Sequence, residues 1–226
     1  MTSLLLAIDT ATRMASLALD DGARVRIELS WESPDHHTVE LTPRIAGMLA
    51  QLQVTVGDLA GIAVSLGPGS FTGLRVGLAA AKGLAMSRGL ALVGVPTLDI
   101  VAQAMRDSRL PVVAVLSAGR GRLCAARYRV SDGKVQSDGP VWLTTAQELG
   151  ADWDEKTRVC GELGADERRQ LQARLGSRIE LASPAASLRR AGYLAELGWA
   201  RLKAGQADDP ATLAPIYLQT PSGSPV

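Results

Sequence analysis

The chain has 226 residues, 46% of them hydrophobic and 21% charged, enough apolar material for a buried core and too little charge for a disordered segment. Lys and Arg number 24 against 23 Asp and Glu, which excludes nucleic-acid binding by bulk charge and leaves only a local basic patch. The 20 Arg and four Lys read as compositional bias. The first element is a buried strand at Ser3–Asp9, followed closely by a second at Met14–Asp20. After the hairpin-type dipeptide Asp21-Gly22, Arg24–Trp31 alternates strictly. Val25, Ile27, Leu29 and Trp31 share one face, and Arg24, Arg26, Glu28 and Ser30 the other, which must be wet or covered by something polar.

A helix follows within Asp35–Gln53, with Leu41, Ile45, Leu49 and Leu52 at helical spacing. Ser33-Pro34 and Thr42-Pro43 both resemble a cap followed by Pro at the first helical position; the early start, with a bend at Pro43, is favoured. Gly61–Leu66 is a short strand leading into Gly67–Gly73 and a helix from Gly73 to about Arg88. A strand at Leu90–Val95 and a helix at Thr97–Arg106 complete a first lobe. Three meandering strands, then helix, strand, helix and strand, is the order of a ribonuclease-H-like lobe, so the class is α/β with a mixed sheet. Beyond it, Val112–Leu116 and Arg122–Val130 are strands with a turn at Ser131-Asp132-Gly133. A long helix is capped by Ser183, begun by Pro184 and stopped at Gly205. No linker separates the halves and no repeat of tens of residues is visible. The expected domains are 1–106, a reduced second lobe over 107–219, and a flexible tail over 220–226.

The chemistry-bearing residues are few. Gly67-Pro68-Gly69-Ser70-Phe71-Thr72-Gly73, between a strand and a helix, offers free backbone N–H groups and close approach, the physical recipe for an anion site. Its spacing is neither dinucleotide-binding nor P-loop, and Pro68 removes a donor, so on pattern alone a tight turn capped by Ser70 or Thr72 is favoured over the anion site. Asp9-Thr10-Ala11-Thr12, at the end of the first strand, suits a magnesium–phosphate turn or a self-bonded one, with Ala11 where phosphate loops prefer Gly. The second helix carries Gly73, Gly77, Ala81 and Ala85 at i, i+4 spacing beside Leu74, Val76, Leu78 and Leu84. Such a helix is buried by the chain itself or by a partner. His36 and His37, the two histidines, are adjacent and point about 100° apart on a helix, so they cannot form a metal pair. Cys124 and Cys160 stand alone, which excludes a disulfide framework or zinc cluster and fits a reducing cytosol. Gly-x-Ser-x-Gly is absent. Arg127 and Arg129 share a strand face near Arg120 and Arg122, a solvated face or a tRNA contact. The apolar start Leu4–Ile8 stops at Asp9. The longest uncharged stretch, Leu59–Leu74, falls short of the roughly 20 apolar residues a spanning helix needs. A cytoplasmic protein with no membrane association is expected.

Three segments, LLLAIDTA (4–11), SLGPGSFTGLRVGLAAAKGLA (65–85) and VGVPTLD (93–99), resemble the bacterial tRNA threonylcarbamoyladenosine biosynthesis family TsaB, also called YeaZ. His37-Thr38 and Pro215-Ile216-Tyr217-Leu218 fit as well. The family's Asp-Ala-Arg segment is here Ser117-Ala118-Gly119, and its closing Tyr-Leu-Arg is Tyr217-Leu218-Gln219. The resemblance implies an actin-like ATPase (ASKHA) fold of two ribonuclease-H-like lobes with mixed sheets, the second reduced. It implies a non-catalytic scaffold for forming N6-threonylcarbamoyladenosine beside the anticodon, paired with the metal-holding transferase TsaD and joined by the ATPase TsaE. Self-pairing when alone, tRNA contact only through the complex, and ATP or ADP only in the complex follow from the same resemblance. Pairing is expected through the first two helices: His37, Leu41, Ile45, Gly73, Leu74, Val76, Gly77, Leu78, Ala81 and Ala85. A large residue at Gly77 is then expected to abolish pairing and leave the fold intact. Asp9, Thr10, Thr12, Gly69, Ser70 and Thr72 become a vestigial phosphate loop. Two rival readings are an autonomous ATP-dependent phosphotransferase of the same superfamily, using Asp9 and the glycine loop, and a peptidase, for which no metal set or nucleophile–base pair is present.

Overall fold

The computed structural model describes residues 3–33 and 37–218. The expected features at Pro34, Asp35, His36 and the 220–226 tail lie outside them. The opening meander forms as the alternation requires. Strands β1 (Leu4–Asp9), β2 (Met14–Asp20) and β3 (Val25–Glu32) pair antiparallel, and β1 is buried along its whole length. A continuous apolar run rather than an alternating one marks a strand covered on both faces. Helix α1 (His37–Gln51) runs through Pro43, so the later start at Thr42 is not used; Leu41, Ile45, Met48 and Leu49 point inward. A 3-10 turn, Val56–Asp58, closed by a Thr55/Asp58 capping box, leads into β4 (Leu59–Gly67).

Helix α2 (Phe71–Arg88) begins two residues before the expected Gly73, because Ser70 is the cap: its Oγ accepts from the Gly73 N–H at 3.2 Å. Gly89, at φ 64°, ends the helix in the left-handed conformation. Strand β5 (Ala91–Pro96) completes a sheet in the order β3-β2-β1-β4-β5, with β4 parallel to both β1 and β5. Leu4, Leu6, Ile8, Ile62 and Val64 cluster with the inward residues of α1 and α2. The alternate positions Leu5, Gly61 and Ala63 meet Gly198 and Leu202 of α5 (Ala191–Lys203). The first sheet is thus a three-layer sandwich.

The second sheet has the order β11-β10-β6-β7-β8. Its strands are β6 (Val112–Ser117), β7 (Arg122–Ser131), β8 (Lys134–Ser137), β10 (Thr157–Gly161) and β11 (Ile179–Leu181), with β9 (Trp142–Thr145) pairing β7 from the side. Asp132 and Gly133, both at positive φ, form the two-residue loop between β7 and β8. Helix α4 (Ala165–Leu175) connects the parallel pair β10 and β11 as α2 connects β4 and β5. The two sheets therefore share one topology, although the sequence shows no repeat. The second lacks a counterpart of α1, which is the sense in which it is reduced. Its core is built on Val113, Val115, Leu123, Val159, Leu171 and Trp153.

The expected boundary after residue 106 is not where the chain divides. One compact unit contains residues up to Thr97 and those from Arg190 on; the other is Leu98–Arg189. Each sheet's last helix is given to the other unit. From Leu98, α3 (Thr97–Gln103) joins the second through Asp99, whose carboxylate accepts from the Tyr128 hydroxyl at 2.7 Å. Helix α5 joins the first, where Glu28 of β3 caps it by accepting from the Gly192 N–H at 2.8 Å and from Arg190 Nε at 2.9 Å. On the polar face of β3 the helix N-terminus covers Glu28, while Arg24, Arg26 and Ser30 stay exposed. The long helix expected from Pro184 also needs correction. Ser183 and Pro184 make only a turn, and α5 starts at Ala191. The intervening Arg189 is buried against Glu162 at 2.9 Å, and Arg190 is extended toward Glu28, which interrupts the helix.

Candidate functional site

Two short loops of the first unit meet where the sequence suggests a phosphate site. Asp9, Thr10 and Thr12 are buried at the end of β1. The Asp9 carboxylate accepts from the Ala11 N–H at 3.0 Å and from the Ser65 hydroxyl at 2.9 Å. Thr10 donates its hydroxyl to the Gly73 carbonyl at 2.7 Å, and the Ser70 N–H donates to the Ala11 carbonyl at 2.6 Å. Gly67 N–H is held by Thr97 Oγ1 at 3.0 Å, and Thr12 Oγ1 accepts from Met14 N at 3.3 Å. The structure brings Asp9, Thr10, Gly69 and Ser70 together as a loop-to-loop clasp whose groups bond one another, with Thr72 exposed beside it.

The glycines explain why the clasp closes. A Cβ at Gly69 would stand 2.2 Å from the Ala11 carbonyl oxygen, at Gly73 2.2 Å from that of Thr10, and at Gly77 2.2 Å from Thr10 Oγ1. These are distances no side chain tolerates, so the small residues are fixed by the approach of α2 to the β1 turn. That corrects the expected pairing stripe. His37, Leu41, Ile45, Gly73, Leu74, Gly77, Leu78, Ala81 and Ala85 are all buried in this chain, and Val76 is half-buried on the same core. Thr10 occupies the space beside Gly77, so this face of α2 is turned to the chain's own β1 turn and a large residue at Gly77 would meet the Thr10 side chain.

The outer faces of the same two helices, which the sequence reading missed, carry exposed small and apolar residues instead. On α1 these are Val39, Pro43, Ala46, Gly47 and Ala50; on α2 they are Ala79, Gly83 and Met86, the last 69% exposed. Spacing of i, i+4, i+7 places each set on one stripe. The signal was present in the sequence as a second, overlapping small-residue pattern, Ala79 and Gly83.

Two cations of the basic run are paired with acids of the same chain. Arg127 pairs with Glu155 at 2.7 Å and Arg129 with Asp138 at 2.9 Å, with cross contacts at 3.7 Å, so this face is neutralised. Among the described residues, no group of three or more His, Cys, Asp or Glu could hold a metal ion. Burial pushes the Cys124 thiol to about 11 and that of Cys160 to about 12, which leaves neither as a thiolate nucleophile near neutrality. No helix among the described residues is long and apolar enough to cross a membrane.

Comparison with known proteins agrees with the motifs. The family model described as TsaD: tRNA N6-adenosine threonylcarbamoyltransferase matches residues 32–214. An uncharacterized protein of Mycobacterium tuberculosis (strain H37Rv) is 32% identical across 99% of this chain and 95% of its own. The tRNA threonylcarbamoyladenosine biosynthesis protein TsaB of Bacillus subtilis is 29% identical across 95% and 93%. TsaB of Escherichia coli is 36% identical across 55% and 54%. The solved structure of YeaZ from Pseudomonas aeruginosa superposes with a TM-score of 0.77 at 24% identity, covering 96% of this chain and all of that one, which establishes the shared fold. With motifs, fold and relatives in agreement, the chain belongs to the family of the tRNA N6-adenosine threonylcarbamoyltransferase TsaD, on its TsaB/YeaZ branch.

Proposed function

We propose that the chain is a non-catalytic subunit that pairs with the TsaD transferase through the outer faces of α1 and α2. A role in the biosynthesis of tRNA threonylcarbamoyladenosine follows from the family and its TsaB-named relatives. The finer reading rests on one observation: two touching helices present Val39, Pro43, Ala46, Gly47, Ala79, Gly83 and Met86 outward. Small residues on neighbouring helices let a partner helix come close, and apolar ones favour covering it. The clasp at Asp9 and Gly69 favours this reading over an autonomous phosphotransferase, because the groups that would hold a phosphate already hold one another. In the same reading ATP or ADP binds only in the complex, TsaE joins TsaD and this chain, tRNA is reached indirectly, and the chain self-pairs when alone.

The test is light scattering on a sizing column, with the chain alone and then mixed with the TsaD paralogue of the same genome. A stable heterodimer is expected, lost in Ala79→Glu and Met86→Glu variants that keep the wild-type circular dichroism. Undiminished pairing by both folded variants would refute the outer-face reading.

A further inference from the structure

Resting on that pairing face, the geometry points to Arg75 as a preformed carboxylate receptor that selects an acidic partner chain over a second copy of this one. Arg75 lies on the outer stripe of α2, four residues before Ala79, and is exposed. Its guanidinium carbon sits 3.7 Å from the centroid of the Phe71 ring, and its Nε donates to the Tyr217 hydroxyl at 3.0 Å. The Phe71 and Tyr217 rings lie 5.1 Å apart. Tyr217 is itself anchored, because the neighbouring Ile216 N–H donates to the Leu66 carbonyl at 2.7 Å and Leu213 packs on the core. Among the described residues, Nη1 and Nη2 of Arg75 have neither a hydrogen bond nor an ion pair.

A guanidinium held by an aromatic face and a fixed acceptor has little rotamer freedom left to lose, and its open fork matches a carboxylate through two parallel hydrogen bonds. The surrounding charges say where that carboxylate must come from. Helices α1 and α2 carry Arg44, Arg75, Lys82 and Arg88 against a single acid, Glu40. Glu40 already accepts from the Trp31 indole at 2.7 Å, and Asp58, in the turn that packs on α2, accepts from Thr55 at 2.8 Å. A two-fold self-pairing on these helices presents the same patch twice, so it brings four cations against four and, among the described residues, offers Arg75 only Glu40 and Asp58, each already holding a hydrogen bond within its own chain. A partner whose facing surface bears Asp or Glu supplies an uncommitted carboxylate and neutralises the patch. Arg75 is thus the specificity residue of the face, and Tyr217 positions it.

The experiment is titration calorimetry with the TsaD paralogue at low and high salt, alongside self-association of the chain measured by light scattering. Arg75→Gln is expected to weaken the heterodimer about 10- to 100-fold at low salt and to flatten its salt dependence, leaving self-association unchanged or tighter. Tyr217→Phe, which keeps the ring and loses the hydroxyl, is expected to show a smaller loss in the same direction. Unchanged affinity and salt slope in Arg75→Gln, with pairing still abolished by Ala79→Glu, would overturn the role of Arg75 and spare the pairing face. Pairing intact in Ala79→Glu as well would overturn both. An equal loss of self-association in Arg75→Gln would assign the residue to self-pairing and overturn the selection of an acidic partner.

Discussion

Two glycines of α2 allow one substitution to be tested with opposite signs. At Gly83 a new Cβ meets nothing within 4 Å, whereas at Gly77 it would stand 2.2 Å from Thr10 Oγ1. Both positions are helix interior, so Gly→Ala gains about 0.8–1 kcal/mol of propensity at each. At Gly83 nothing opposes that gain. At Gly77 the Thr10 side chain must turn away, and its buried 2.7 Å hydrogen bond to the Gly73 carbonyl is lost. Leaving those polar groups unsatisfied costs about 1–3 kcal/mol, and crowding a packed site costs about 1–3 kcal/mol more. The net expectation is destabilisation of about 1–5 kcal/mol for Gly77→Ala and stabilisation of up to about 1 kcal/mol for Gly83→Ala. Urea unfolding of the dilute isolated chain, followed by circular dichroism, measures both. Thr10→Ala removes the clashing oxygen, so the double variant Thr10→Ala/Gly77→Ala should be more stable than the sum of the single effects predicts. A Gly77→Ala variant as stable as wild type, or additive behaviour in the cycle, would refute the close approach of α2 to the β1 turn.

Glu28→Ala removes the carboxylate that caps α5 and holds Arg190. A loss of about 1.5–3 kcal/mol is expected from those charged hydrogen bonds, with a smaller loss for Glu28→Gln; denaturant midpoints of the two variants test this. Burial raises the Asp99 carboxyl above its ordinary 3.8, only partly countered by the Tyr128 hydroxyl. The folded state therefore binds this proton more tightly than the unfolded chain. The resulting stability is full below about 3.8 and is lost as pH rises through the raised value. Asp99→Asn, which can still accept from Tyr128, should gain on wild type between acidic and neutral pH; a constant difference in urea midpoint would contradict the assignment. The pairing variants Ala79→Glu and Met86→Glu, and the Arg75→Gln titration, extend these tests from stability to assembly.

Much of the first unit could be read without coordinates, because local physics and tertiary packing agree there. Strict alternation in β3, the Leu41/Ile45/Leu49 spacing of α1 and the Ser70–Gly89 frame of α2 each have one good solution. The same holds for the family motifs, which concentrate in residues 4–98. Legibility fell where the sequence allowed two arrangements of equal local quality. Ser183-Pro184 is a sound helix start, yet the contacts of Arg189 with Glu162 and of Arg190 with Glu28 break the chain there.

Local pattern was enough for an α/β chain, the order of its first elements and the glycine-rich turn between β4 and α2, and the family resemblance singled out the first two helices. Which face of α2 looks inward is set by long-range contacts. Gly73-Gly77-Ala81-Ala85 and Ala79-Gly83 are both small-residue patterns on one helix, and periodicity cannot distinguish a stripe that admits the chain's own backbone from one that could admit another chain. The position of Thr10, 63 residues away from Gly73 in sequence, settles the matter by filling the space beside the first stripe. The assignment of α3 and α5 to the two units was hidden for a like reason: both carry buried apolar residues, and which sheet each covers depends on partners such as Tyr128 and Glu28 that lie far along the chain.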